Sequence, residues 1–139
     1  MRKVFVACAF AVALAGCVAP VQKTANGEIP AARIYIKSMT EQTAGMSKVE
    51  FRRDTNFLYS REMLELAIND VVLAQIDGGE HLAIWLKPGR YVFTIKPVHT
   101  LNTPTGVKSG LLDLEVKPGA DSQVQIVSNS TGISLQQGK

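Results

Sequence analysis

Between residues 62 and 96 apolar and polar side chains exchange places at nearly every second position, and three short reversal signals interrupt the alternation. A period of two separates side chains onto the two faces of an extended strand, whereas a helix needs apolar residues three and four apart. The combination leaves little freedom, because a slip of one residue would carry every apolar side chain to the wrong face. Asn69-Asp70 suits a two-residue turn, Gly78-Gly79 centres the run Asp77-Gly78-Gly79-Glu80, and Lys87-Pro88-Gly89-Arg90 has Pro and Gly where a type II turn uses them. Closing all three as hairpins predicts a four-stranded meander. One face then carries Leu66, Leu73, Ile84 and Phe93 in one row, Ile68, Val71, Leu86 and Tyr91 in the next, and Leu82 opposite Ile95. This is the expected core face. Glu65, Ala74, Ala83 and Thr94 fall on the other, with His81 opposite Lys96. A local alternative is a short helix capped by Ser60 and running through Arg61, Glu62, Met63 and Leu64 to Ile68.

One row on the outer face is apolar where solvent is expected: Ala67, Val72, Trp85 and Val92, with Trp85 the only tryptophan in the chain. Either the 38–60 loop or the N-terminal tether folds over Trp85 and makes a second small core, or the row is a partner surface, since indole contributes a large contact area at interfaces.

The flanks read in the same way. Residues 33–37 alternate, with Ile34 and Ile36 on one side and Arg33, Tyr35 and Lys37 on the other, which predicts a half-buried strand. Residues 38–60 read as a loop in which Val49-Glu50-Phe51 forms a short strand. Further on, Leu112, Leu114 and Val116 alternate, and Lys117-Pro118-Gly119-Ala120-Asp121 turns the chain into Val124 and Ile126 through a bulged five-residue loop. A four-residue turn at 128–131 would place Ile126 opposite Ile133 and Val124 opposite Leu135, so the chain ends on a strand. The predicted fold is all-β: a two-sheet antiparallel β-sandwich of about seven to eight short strands.

The first residues are a separate matter. Arg2-Lys3, an apolar run over 4–14 and the small residues Ala15-Gly16 before Cys17 have the layout of a secretory signal, and the run is shorter than the ~20 residues that span a bilayer. Leu14-Ala15-Gly16-Cys17 resembles the lipobox of bacterial lipoproteins. The resemblance implies cleavage before Cys17, a diacylglyceryl group on its thiol and palmitate-type acyl chains as the membrane anchor. The expected organisation is a lipoprotein signal peptide over 1–16, the lipidated cysteine and a flexible tether over 17–31, and a β-sandwich domain over 32–139. The tether reading rests on Pro20, Gly27 and Pro30 among polar residues with no apolar period.

Cleavage removes Arg2 and Lys3, and the chain's formal charge of +3 falls to +1, with 13 basic side chains against 12 acidic. A near-neutral domain has no electrostatic footprint for nucleic acid or anionic lipid. Cys8 leaves with the signal and Cys17 is acylated, so no thiol remains for a disulfide or a nucleophile.

The run 64–95 follows an Arg-Ile-Tyr-Ile stretch at 33–36 with strand, Asn-Asp turn, Val71-Val72-Leu73-Ala74 strand, glycine turn, apolar strand and Pro88-Gly89-Arg90-Tyr91 return. It resembles uncharacterised bacterial lipoprotein domains of compact β-sandwich type and, more distantly, PEGA and transthyretin-like modules. The resemblance spans residues 33–126 and implies fold and compartment, with no catalytic residues to carry over. With Val18 after the cysteine in place of aspartate, the lipoprotein resemblance implies the periplasmic face of the outer membrane.

Signals for chemistry are sparse. His81 and His99 are the only histidines, and no carboxylate or thiol beside them has metal-ligand spacing. No serine sits in a Gly-x-Ser-x-Gly elbow, and the glycines form no phosphate-binding loop. Arg52-Arg53 with Arg61 forms a short basic cluster suited to an acidic partner or to solvent. The sequence therefore predicts a lipid-anchored envelope lipoprotein acting as a binding or assembly accessory module. It is not expected to be an enzyme, and no cofactor, metal or small-molecule ligand is expected. Its expected partners are the membrane, through lipid, and an envelope protein that meets Trp85, Val72, Val92 and Ala67 or the 98–108 loop. The competing expectations are a small envelope hydrolase using His81 or His99 with a nearby carboxylate, and a purely structural envelope lipoprotein.

Overall fold

The structure, a computed structural model, describes residues 23–55, 62–98 and 106–138. Among these residues lie eight strands: β1 Ser47–Arg53, β2 Leu64–Ile68, β3 Val71–Ile76, β4 His81–Leu86, β5 Gly89–Pro97, β6 Gly110–Val116, β7 Ser122–Asn129 and β8 Gly132–Gln137. They form two four-stranded sheets, ordered β4-β1-β7-β8 and β3-β2-β5-β6. The second is antiparallel throughout. In the first, β1 runs antiparallel to β4 but parallel to β7, so that sheet is mixed. The all-β, two-sheet architecture expected from the alternation is the observed one.

The β2–β3 hairpin closes at the expected turn. Asn69 and Asp70 both take positive φ, 47° and 65°, the pair of conformations a type I′ turn requires and the one that Asn and Asp tolerate. Two residues on, the register shifts: Ala67 pairs with Val72 but Leu66 pairs with Ala74. Leu73 is therefore the extra residue of a β-bulge rather than the partner of Leu66, and both Leu73 and Ala74 are buried.

Of the other two turns, the one at Asp77–Glu80 closes locally, whereas the type II turn expected at Lys87-Pro88-Gly89-Arg90 does not form, because Gly89 is extended (φ 157°) and already begins β5; neither joins a hairpin. Glu80 N–H donates to the Asp77 carbonyl at 3.2 Å around Gly79, whose φ of 79° suits the third position of a type II turn. Beyond it β4 does not return along β3. It pairs with β1, and β2 takes β5 as its second neighbour, Leu66 facing Ile95 and Ile68 facing Phe93. Each of these connections carries the chain from one sheet to the other. The Lys117–Asp121 loop does the same between β6 and β7. The four-stranded meander is thus corrected to two sheets sharing one interior. A corner crossing keeps the parity of the alternation, and for that reason Leu66, Ile68, Leu73, Leu82, Ile84, Leu86, Phe93 and Ile95 are all buried as the meander required. Two residues of the expected core face depart from this: Val71 is 57% exposed beside the turn, and Tyr91 is only partly buried.

Two further readings change. Residues 33–37 are not a strand; they link two 3-10 turns, Ala31–Arg33 and Lys37–Thr40, with one isolated bridge from Ile34 to Ala74. Residues 47–53 are not a loop with a short strand but a full strand between β4 and β7. Residues 64–68, the site of the alternative helix, are strand β2. At the C-terminus β7 and β8 form the expected hairpin, two residues out of the expected register. Ile126 faces Leu135 and Val124 faces Gln137 around Ser130-Thr131, whose N–H at Thr131 donates to Asn129 Oδ1 at 2.9 Å. An even shift leaves every side chain on its predicted face.

Both inner faces meet in one core. Phe51 of β1 and Phe93 of β5, each fully buried, bridge the sheets with ring centroids 4.9 Å apart in an edge-to-face contact.

Candidate functional site

The segment before β1 is a strap over the open side of the sandwich, where β4 and β3 are the edge strands. Gly27 C=O accepts from His81 N–H at 2.8 Å and Ile29 N–H donates to His81 C=O at 3.3 Å, so Glu28 pairs parallel to His81. Ile29 is buried in the core. These residues fall within the stretch read as tether and before Ala32, so chain order begins earlier than the absence of an apolar period implied. After Pro30 the strap turns through Ala31–Arg33 to the other sheet, where Tyr35 N–H donates to Leu73 C=O at 2.8 Å. The turn Lys37–Thr40 then lies back against β4.

Side chains clip the strap in place. Arg33 meets Glu80 with both guanidinium arms, Nη1 to Oε2 at 2.9 Å and Nη2 to Oε1 at 2.5 Å, and Glu80 is 3% exposed. Arg33 Nη1 also donates to Gln75 C=O, and Glu80 Oε2 accepts from Asp77 N–H at 2.8 Å. A planar fork matching a carboxylate in this way makes two parallel charge-assisted hydrogen bonds, roughly twice as strong as neutral ones. Beside the pair, Arg53 points inward from β1, 3% exposed, and donates to the carbonyls of Glu62 and Ile76 at 2.7 and 2.8 Å. Burial pulls its guanidinium below the ordinary value, while Asp77, Asp54, Glu80 and Glu62 pull it back up. The Arg52-Arg53 doublet therefore splits. Arg53 is a core cation, and Arg52 is a surface residue paired with Glu50 at 2.7 Å.

Between the strap and the outer face of β1 and β4 lies a cleft of about 340 Å³. Ile34 and Thr40 line it from the strap, Lys48 and Glu50 from β1, and His81 and Ala83 from β4. Glu28 and Ile29 close the end where the strap pairs with β4. The volume is at the lower end of the range for small-molecule sites, and its lining mixes carboxylates with aliphatic surface. Among the described residues no group of three or more His, Cys, Asp or Glu side chains is placed to hold a metal ion.

The expected partner row does not assemble. Ala67, Val72 and Val92 lie in the β3-β2-β5-β6 sheet, but Trp85 is on β4 in the other sheet, opposite Lys48. The physical reason is the corner at 87–88, which takes β5 away from β4. The outer-face row that crosses the second sheet is instead Val72, Ala67, Thr94 and Leu111. Ala67 is buried, Val72 and Trp85 are half-buried, and Val92 is exposed. His81 lies in the cleft, whereas Cys17, His99, Arg61 and most of the 98–108 loop lie outside the described residues. The Arg33–Glu80 clip and the strap were not legible as a site, because their residues are 47 positions apart and share no motif.

The described fold is a two-sheet β-sandwich with a strapped edge. No protein family model matches the chain and no curated protein does. Among solved structures it is similar to a protein from Eubacterium rectale determined by NMR, at 10% identity, with 71% of this chain and 94% of that chain covered and a TM-score of 0.45.

Proposed function

We propose that this chain is an envelope lipoprotein, anchored through Cys17 to the periplasmic face of the outer membrane, whose β-sandwich serves as a non-catalytic binding or assembly module. The observation that carries this reading is Leu14-Ala15-Gly16-Cys17 directly after a short apolar run with a cationic start. We read the fold as that of the compact β-sandwich domains of bacterial lipoproteins and, more distantly, of PEGA and transthyretin-like modules. Both sheets spend their inner faces on one core, which leaves the outer faces, edges and loops for recognition.

The side of β4 that carries Trp85 and the cleft is the contact face. The test is in-cell crosslinking with a photoreactive residue at position 85 of the lipidated protein, followed by mass spectrometry. One envelope protein recovered reproducibly, and lost when position 83 is also changed, is the expected result. Crosslinks confined to the strap would place residue 85 within the fold and refute the contact face.

A further inference from the structure

The outer edge of β4, near which the turn Lys37–Thr40 packs, carries main-chain groups of defined register that the strap does not use. His81 uses both its N–H and its C=O on the strap, and Arg53 N–H of β1 bonds to Glu80 C=O at 2.9 Å. Main-chain groups alternate sides along a strand. Glu80, Leu82, Ile84 and Leu86 therefore direct theirs to β1, and His81, Ala83 and Trp85 direct theirs away from it. The strap satisfies His81 alone. It leaves the ladder after Ile29, and no main-chain hydrogen bond joins Ala83 or Trp85 to any described residue of the strap. The cleft opens at this point, against Leu82 and Ala83. The other edge of the strapped side differs, since Tyr35 N–H meets Leu73 C=O on β3.

We propose that the cleft is a strand-addition slot, in which an extended peptide segment of a partner protein continues the parallel ladder begun by Glu28 and bonds to the main chain of Ala83 and Trp85. Peptide recognition of this kind takes its affinity from backbone bonds and its specificity from alternate side chains. The lining states the segment's chemistry. Ile29, Ile34 and Ala83 suit small apolar side chains. Of the charged groups, Lys48 is drawn to Asp121 at 3.8 Å and Glu50 to Arg52 at 2.7 Å, which leaves the exposed Glu28 as the acid that favours a lysine or arginine among the segment's apolar residues. The slot rests on the binding-module reading for its purpose, but its geometry does not depend on the lipid anchor.

The test uses the full chain in detergent micelles and the blocked peptide Val-Lys-Val-Thr-Val, followed by amide NMR and hydrogen exchange. Without peptide, Ala83 and Trp85 amides exchange at least about tenfold faster than Leu82 and Ile84, because only the latter are in the ladder. Peptide at about 1 mM, a concentration suited to weak binding, shifts the Ala83 and Trp85 resonances and slows their exchange. Ala83→Pro removes the free N–H at an edge position where proline is tolerated, so the fold persists and the response is lost. Glu28→Gln keeps the backbone intact and weakens binding of the same peptide severalfold. Equal protection of all four amides without peptide would overturn the slot. So would peptide shifts that spare Ala83 and Trp85, or that persist in Ala83→Pro, and these two results would leave the lipid anchor and a binding role by another surface untouched.

Discussion

Glu80→Ala is expected to lower the unfolding free energy by about 3–5 kcal/mol, the range for breaking one partner of a buried ion pair. The carboxylate accepts two bonds from Arg33 and one from the Asp77 main chain. Its loss takes from the Arg33 guanidinium, 12% exposed, the carboxylate that meets both its arms, and removes one of the four carboxylates that support buried Arg53. The surface pair of Lys96 and Glu65, 3.1 Å apart with the lysine 54% exposed, sets the contrast: breaking it should cost no more than about 1 kcal/mol. Urea unfolding of both variants measures the difference directly. Glu80→Ala should also release the strap, so the amides of Ile29 and His81 should exchange faster than those of Phe51. A cost below about 1 kcal/mol would mean that water reaches the Arg33–Glu80 clip.

Phe51→Ala should cost about 3–5 kcal/mol, the range for truncating a fully buried aromatic side chain. Phe51 sits on β1, between β4 and β7, and its ring meets Phe93 from the opposite sheet. The cavity would open where the two sheets touch, and β1 cannot withdraw to fill it because both of its edges are paired. Phe51→Leu keeps most of the volume and should cost about 1–1.5 kcal/mol. Thermal or urea unfolding reads both. A small effect of Phe51→Ala would contradict the placement of residues 47–53 at the centre of a sheet.

That placement shows where the sequence stops being informative. Strand β1 alternates as strictly as any other, Val49 and Phe51 inward and Lys48, Glu50 and Arg52 outward or half-buried. Its inward residues begin with polar Ser47 and end with Arg53, and a cation at a core position hides the period. Of the carboxylates that make its burial tolerable, Asp77 and Glu80 lie far along the chain. Arg33 misleads in the same way. The alternation of 33–37 puts it on a solvent face, but its guanidinium is held by Glu80, and that contact bends the segment across the sandwich edge. Short-range chemistry was readable: Asn69-Asp70 takes the two positive φ values the hairpin needs, and Asp77-Gly78-Gly79-Glu80 turns as its glycines suggest. Which strand a turn delivers the next one to was not readable, because a hairpin and a sheet-to-sheet corner preserve the same inside-outside parity. The core could therefore be named almost residue by residue, while the Trp85 row, which depended on neighbours across strands, dissolved when β4 joined the other sheet.

The most direct test of the account is the fate of Cys17 in a bacterium grown with an alkyne-bearing fatty acid. The wild-type chain should take up the label and lose residues 1–16, and Cys17→Ser should do neither. Label on the Cys17→Ser chain, or a wild-type product cut at another position and unlabelled, would contradict the lipid anchor on which the proposed function is built.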